Sequence, residues 1–500
     1  MQTPQNSSEQ EMSLPLGLRY GLGVNDTVSS SRNLAQYLAS NSGVFSGAGT
    51  NVARIPIASG NFLDLKNALV QFDFTNKGDG DCNLDGSAAC VIEQINVVAG
   101  GQTIETIRHY NQLDAVLDQY STSSGAMHVQ HALKGSVARL DETARFGNVV
   151  GTGGNAGANN TVTVTGKTSG LKLVSKQTVG ASTLKSEYSL EGLGGIGYDQ
   201  TQTAVIGSDK TQKFTFGLRG LGFFNPTTNK LLPPSTPFML EIQFAPSANC
   251  LVVPAGKTCD YTVENIEIHI PEIRINDATF MSRIQSRMAS PMAWKCNSYD
   301  HFVNTMQAGD GATTIQLSAR ARSLKGLMTI IRKQAHVTNK LRYKLSKRTI
   351  QYVDEFSYRL GSTSYPNQPV HFATDLTGNT GSAAGTRLPV SAVSLDIGEP
   401  FSQAMRLFGN LNTPNANCLL SQESFGQSEE NNGAGILAMD FSAYNDGSVN
   451  SGVNTLNNLP VSLEVNRTTA NSAVIKQIDT YSIHELVIVR DGGGGLSSMY

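Results

Sequence analysis

The residues of this 500-residue chain whose types and spacing could do chemistry fall into a few short runs. His128 and His131, in "HVQH", are spaced to face one way on a helix. No HExxH pattern and no nearby cysteine pair completes a zinc shell, so solvated histidines are the better reading. Asp81, Asn83, Asp85 and Gly86, in "DCNLDG", match the first half of a calcium loop. The twelfth position of such a loop needs a bidentate Glu; here it is Ile92, and Glu93 comes one place late. Strand-like runs flank it where helices should. "GLGGIG", Gly192 to Gly197, has the glycine spacing of a dinucleotide-binding turn. That motif needs a helix N-terminus directly after it to hold the pyrophosphate. The β-like "YDQTQTAV" follows instead, so a flexible loop is expected. No nucleophile elbow, phosphate loop or Ser/His/Asp order stands out. The expectation is a chain that is not an enzyme, with no catalytic, cofactor-binding or metal residue and no cofactor.

Four of the six cysteines close short loops, Cys82 with Cys90 and Cys250 with Cys259. Six cysteines in 500 residues do not make a disulfide scaffold. Free thiols are expected in a reducing compartment, and pairing of Cys82–Cys90 or Cys250–Cys259 stays open.

Charge is unevenly spread. Between Ala319 and Ile350 stand Arg320, Arg322, Lys325, Arg332, Lys333, Lys340, Arg342, Lys344, Lys347 and Arg348, with no acid. From Asp354 onward there are 14 acids and six bases. A helix over "NKLRYKLSKR" would place Lys340, Lys344 and Lys347 or Arg348 opposite Leu341 and Leu345. Pairing of this run with acids of the same or a neighbouring subunit is favoured over a surface facing nucleic acid. Interleaved aromatics and a recognition helix are both missing. Sequons at Asn6, Asn25, Asn159 and Asn466 mean little without a secretory signal.

The positioning elements are strands. Charged residues are only 16%, so Ser, Thr, Asn, Gln and Gly must cover the surface. A net charge of −2 gives no global attraction to nucleic acid. The start lacks a basic n-region and an apolar core, and no apolar run is long enough for a membrane span. A soluble, cytosolically made chain is expected. Residues 1–50 read as an N-terminal arm ordered by neighbours, with Leu34, Tyr37 and Leu38 on one short helical face. From Val52 alternating strands dominate; "AGGQ" is a hairpin turn, and "YNQLDAVLDQY" is a helix with Tyr110, Leu113, Val116, Leu117 and Tyr120 along one stripe. Residues 147–212, rich in Gly, Thr and Asn, read as an outward loop insertion with weak strands. The layout then recurs, with a second helix at "PFSQAMRLFGNL". The expected organisation is an arm 1–50, a first roll 51–275 with its insertion 147–212, a linker 276–294, a second roll 295–492 and a tail 493–500. The expected fold class is all-β: two tandem eight-stranded jelly rolls with short helices in loops.

Two segments carry a resemblance. "VIEQINVVAGGQTIETIRHYNQLDAVLDQY" resembles the hairpin running into a short helix of viral double jelly-roll major capsid proteins. "ILAMDFSAYNDGSVNSGVNTLNNLPVSLEVN" is similar to the end of their second roll. Those of polinton-like viruses and virophages look nearest, with tectiviruses, adenovirus hexon and the large nucleocytoplasmic viruses further off. The match spans most of residues 50–490 as an order of elements; the insertion and the basic run have no counterpart. It implies a structural capsid subunit of a double-stranded DNA virus. Three copies would present six rolls as a pseudo-hexagonal homotrimer tiling an icosahedral shell. It also implies neighbouring capsomers, penton and minor capsid proteins as partners, at most weak contact with packaged DNA, assembly inside the host cell and location in the virion. The competing readings are a β-sandwich receptor- or carbohydrate-binding surface protein and a β-rich hydrolase. One Trp and 7% aromatics disfavour a sugar-binding surface, and the missing acid-base pair disfavours the hydrolase.

Overall fold

Strict alternation builds the first sheet. In Leu69–Asn76 the side chains of Val70, Phe72 and Phe74 are fully buried, while Gln71 and Asp73 turn outward. Successive strand residues face opposite ways, so a single register puts all three apolar groups inside. Phe214 and Phe216 meet Phe72 and Phe74 edge-on, with ring centroids 5.8–6.4 Å apart. The structure, a computed structural model, describes residues 30–80, 82–122, 133–135, 161–165, 172–179, 182–189, 206–227, 230–253, 256–341, 343–346, 348–350, 353–371, 398–409, 418, 420, 425–426, 434–443, 452–457, 459–467 and 475–499.

The first sandwich has eight principal strands. In chain order they are Ser30–Leu38, Val52–Ile57, Leu69–Asn76, Ile92–Ala99, Gln102–Arg108, Thr211–Phe216, Phe238–Phe244 and Tyr261–Ile275. Numbered in that order, they form two antiparallel sheets, 1-8-3-6 and 2-7-4-5. The second sandwich uses Met292–Met306, Thr313–Leu317, Leu324–Lys333, Glu355–Leu360, Thr363–His371, Leu437–Asp440, Val461–Asn466 and Lys476–Arg490. Its sheets are again 1-8-3-6 and 2-7-4-5. Apart from the hairpin joining strands four and five, each connection passes from one sheet to the other, which is the connectivity of a jelly roll. The chain therefore holds two jelly rolls, and the all-β expectation is met.

Several expected elements differ. Ser30–Leu38 is a nine-residue strand, not a helix in an arm. It pairs with Tyr261–Ile275 from Ser30 opposite Ile275 to Leu38 opposite Glu267. It is strand one of the first roll, so that roll begins before residue 51. A single helical turn or two is marginal alone, whereas the open edge of Tyr261–Ile275 offers a full row of backbone partners. Phe45 then plugs the core against Phe244 at 5.7 Å. In the expected linker lies a helix, Ala278–Met288, and Met292–Met306 starts before residue 295. The expected tail returns as Leu496–Met499, paired with Val487–Arg490. The basic helix over 339–348 is absent: the described residues there form turns. Within 147–212, Thr161–Thr165, Lys172–Val179 and Ser182–Ser189 make a three-stranded antiparallel sheet; most of that insertion lies outside the described residues. The helices Tyr110–Ser121 and Gly398–Leu407 form where the sequence places them. No helix among the described residues is long and apolar enough to cross a membrane.

Removing residues 30–45 should therefore unfold the first roll rather than trim an arm. Loss of Phe45 alone should cost about 3–5 kcal/mol, and the edge of Tyr261–Ile275 would lie open. Urea unfolding should find a large loss of stability for the 30–45 deletion; an unchanged midpoint would return this segment to the status of an arm.

Candidate functional site at the junction of the two rolls

The helix Tyr110–Ser121 is buried on all sides, including Asn111, Gln112, Asp114, Asp118 and Gln119. An amphipathic helix on a surface leaves its polar face in water. Here that face meets the second roll, so each polar group needs a partner there or nearby. Gln112 Nε2 donates to Asp479 Oδ2 at 3.4 Å. Tyr481 Oη donates to the His109 carbonyl at 3.0 Å. Gln119 Nε2 donates to the Ser346 carbonyl at 3.1 Å, and Tyr120 Oη to the Ala434 carbonyl at 2.9 Å. Asp114 and Asp118 instead hold the buried Lys134 ammonium, at 2.6 and 2.8 Å, within the first roll. Arg219 closes that cluster on Asp118 at 3.1 Å.

The basic run supplies the tightest clasp. Lys340, Lys344, Leu345, Ser346 and Arg348 of the second roll reach across to the first. Asp85 Oδ2 accepts from the backbone N–H of Lys344 at 2.5 Å and of Leu345 at 2.9 Å. Its Oδ1 accepts from the Ser346 N–H at 3.2 Å and the Ser346 hydroxyl at 3.0 Å. Lys344, with none of its surface exposed, donates Nζ to the Leu251 carbonyl at 3.1 Å. Arg348 is equally buried; it donates to the carbonyls of Ala434 and Leu345 and to Gln119 Oε1, and lies 5.9 Å from the centre of the Tyr120 ring. Burial pulls its pKa down to about 10, so it stays charged at neutral pH. The expected division into a basic face and an apolar one is not kept: Lys344 and Arg348 are inside together with Leu345, and Leu341 is 50% exposed. Carbonyl oxygens and an aromatic face compensate these cations where no acid pairs with them.

Two further carboxylates sit in the same seam. Glu105 Oε1 accepts from Gly222 N–H at 2.8 Å and Ser298 Oγ at 2.6 Å, and Oε2 from Phe223 N–H at 2.7 Å. Ser298 belongs to the second roll, so this side chain ties the rolls together. Burial raises its pKa to about 7 in spite of those donors. Gly222 is required there, because a Cβ would fall 2.4 Å from the Asn297 carbonyl oxygen of the second roll. Asp479 is held by Arg332 at 2.6 Å and His301 at 3.1 Å. Burial alone would raise its pKa, but the guanidinium and the imidazole outweigh it and hold the carboxyl well below its usual range. The His301 ring packs on His109, with centroids 4.4 Å apart. Burial, and then His301, lowers the His109 pKa to about 4.

The motif candidates are dispersed. Asp85 spends its carboxylate on backbone donors and Asn83 donates to the Tyr343 hydroxyl at 2.9 Å, so the calcium half-motif serves the junction. Cys82, Cys90, Cys250, Cys259, Cys296 and Cys418 are all free thiols. In the basic run Lys325 pairs with Glu485 at 3.1 Å and Arg332 with Asp479, while Arg320 and Arg322 are exposed. Asn466 donates to Glu355 at 3.0 Å. His128, His131, Asp81, Gly192 to Gly197, Arg342, Lys347, Asn6, Asn25 and Asn159 lie outside the described residues. Sequence reasoning missed Glu105 and Asp479, buried acids in strands that carry several other polar residues.

Solved structures share the overall fold. PBCV-1 VP54, as fitted into a cryo-EM reconstruction of the virophage Sputnik, superposes with a TM-score of 0.54 at 11% identity, covering 95% of this chain and 97% of that one. The Faustovirus major capsid protein gives 0.52 at 10% identity, covering 97% and 94%. The chain has the double jelly-roll fold. The PBCV-1 virus capsid structure carries the same double jelly-roll arrangement, with a TM-score of 0.53, 12% identity and coverage of 95% and 97%. No protein-family model matches the chain, and no curated protein sequence does.

Asp85→Ala should strand three buried backbone N–H groups. At about 1–3 kcal/mol each, the loss should be about 3 kcal/mol or more, read as a lower urea midpoint; a change within about 0.5 kcal/mol would show the clasp is dispensable. Glu105 gives a pH signature. Its folded pKa of about 7 exceeds the ordinary 4.5, so the folded chain binds this proton more tightly. Stability from this group is full below pH 4.5 and falls by about 3 kcal/mol as pH rises to about 7. Glu105→Gln, neutral throughout, should show a melting-temperature difference from the parent that climbs over that interval and then levels. A constant difference would exclude titration there.

Proposed function

We propose that the chain is the major capsid protein of a double-stranded DNA virus, a structural and non-enzymatic subunit whose trimers form pseudo-hexagonal blocks of an icosahedral shell. The observation that carries this reading is the repeated strand order, 1-8-3-6 with 2-7-4-5, in two rolls of one chain. A sealed polar seam makes the pair a single rigid block. Three such blocks give six near-equivalent walls from one kind of interface. Membership of a shell accounts for large, weakly charged surfaces and for long connections that tolerate change. The fold shared with capsid proteins of PBCV-1 and Faustovirus supports it.

Under this reading the partners are further copies, neighbouring capsomers, and penton and minor capsid proteins, and the protein resides in virions assembled inside the host cell. Contact with packaged DNA is weak, because Arg332, Lys344 and Arg348 are committed to the junction and Arg320 and Arg322 are left at the surface. A carbohydrate-binding surface is not favoured: the exposed large apolar side chains among the described residues include no aromatic ring.

Purified protein should run as a trimer in size-exclusion chromatography with light scattering, and electron micrographs should find hexagonal blocks or closed shells. A monomer at every concentration, with no assemblies, would overturn the proposal.

A further inference from the structure

The junction leaves one buried charged cluster without a part in it. Asp114 and Asp118 stand one turn apart on the helix Tyr110–Ser121, so their carboxylates leave the same face. Lys134 reaches them from further along the chain. Its Nζ lies 2.6 Å from Asp114 Oδ2 and 2.8 Å from Asp118 Oδ2. All three are removed from water: Lys134 is 3% exposed, Asp114 1% and Asp118 7%. The Phe216 ring closes over the amine, with its centre 5.7 Å from Nζ. Oδ1 of Asp118 is held by Arg219 at 3.1 Å. Oδ1 of Asp114 is buried and has no hydrogen-bond partner among the described residues.

An ion pair alone does not account for that oxygen. Buried polar atoms are paired in nearly every case, and an exception calls for a reason. Burial raises the Asp114 pKa, which favours the neutral acid. Burial alone would lower the Lys134 pKa, but Asp114 and Asp118 outweigh it and raise it. The ammonium is therefore the main state of Lys134. Transfer of one proton from Nζ to Asp114 gives a minor state, a neutral amine beside a neutral acid, in a site too dry to stabilise charge well. A nitrogen hydrogen-bonded to a carboxylate oxygen stands about 3–3.5 Å from the carboxyl carbon, which is a near-attack separation.

We propose that Lys134 and Asp114 condense to an intramolecular amide, an isopeptide bond, with Asp118 as the catalytic base. One proton passes from Nζ to Asp114. The Nζ lone pair then attacks Asp114 Cγ and forms the N–C bond. Ser87 Oγ, 3.4 Å from Asp114 Oδ2, faces the oxygen on which charge develops. Asp118 takes a proton from the cationic nitrogen and returns it to the hydroxyl oxygen, the unpartnered Oδ1. The Cγ–Oδ1 bond breaks and that oxygen leaves as water. An ammonium and a carboxylate become one amide and one water, no oxidant or cofactor is consumed, and Asp118 ends ionised against Arg219. A cavity of 370 Å³ lined in part by Lys134, Phe216 and Arg219 adjoins the cluster and receives the water. The product is a covalent ring that ties the helix at the junction to the chain after it. This inference does not depend on the capsid reading.

Mass spectrometry of the full-length parent, denatured, is the test. The intact chain should be one water lighter than its sequence. After Arg108 the next Lys or Arg is Lys134, and the one after that is Arg139. Trypsin does not cut after an amidated lysine. Digestion should therefore give a peptide 109–139, one water light, with no backbone fragments separating residue 114 from residue 134. Lys134→Arg, which keeps the charge, should restore the full mass and the cut at 134. Asp118→Asn, with its fold checked by circular dichroism, should condense about 10²-fold more slowly or worse, the usual loss on removing a general base. The readout is the fraction of light chain against time after expression. A parent of full mass that trypsin cuts after Lys134 overturns the inference and leaves the cluster an ion pair only. A missing water that maps to another residue overturns it as well. An Asp118→Asn chain that condenses as fast as the parent overturns the role given to Asp118.

Discussion

The cost of burying polar groups governs the architecture. Two jelly rolls side by side must take water away from helix ends, loops and carboxylates along their seam, and every such group left without a partner costs about 1–3 kcal/mol. The chain meets this with carboxylates at the seam, Asp85 accepting backbone N–H groups from the other roll and Glu105 a hydroxyl from it. Asp85 takes three, from Lys344, Leu345 and Ser346. Glu105 takes two, from Gly222 and Phe223, and a hydroxyl from Ser298. Directional bonds of this kind fix one relative placement of the rolls, where an apolar seam would tolerate sliding.

The buried cations follow the same logic. Lys344 and Arg348 would be strongly destabilising if they were alone. They are compensated by carbonyls of Leu251, Ala434 and Leu345 and by the Tyr120 ring. Arg332 does reach an acid, Asp479, which also engages His301 and Gln112. Removing one member of such a network leaves the others unsatisfied, so the seam is cooperative.

The asymmetry between the rolls follows from their order in one chain. The first roll covers the centre of the second's 1-8-3-6 sheet, at Met328, Asp479 and Tyr481, while on the equivalent sheet of the first roll Leu34 and Leu38 are exposed.

The sequence alone determined the class of fold. Alternation in Leu69–Asn76 and the glycine turn before Gln102–Arg108 dictate strands and a hairpin, and the stripe from Tyr110 to Tyr120 dictates a helix, because these patterns are local. Glu105 and Asp479 were not legible, because nothing in the polar-containing strands around them marks an acid that will be buried. Three features were decided only in three dimensions. Ser30–Leu38 became a strand because Tyr261–Ile275, more than two hundred residues away, offers an open edge. Lys344 and Arg348 of the basic run turned inward because Asp85, Leu251 and Tyr120 wait on the other roll. The half-motif at Asn83 and Asp85 became a clasp rather than an ion site for the same reason. Local pattern fixes which face of an element is apolar; what that face or a buried charge meets depends on segments far off in sequence, which only the folded chain brings together.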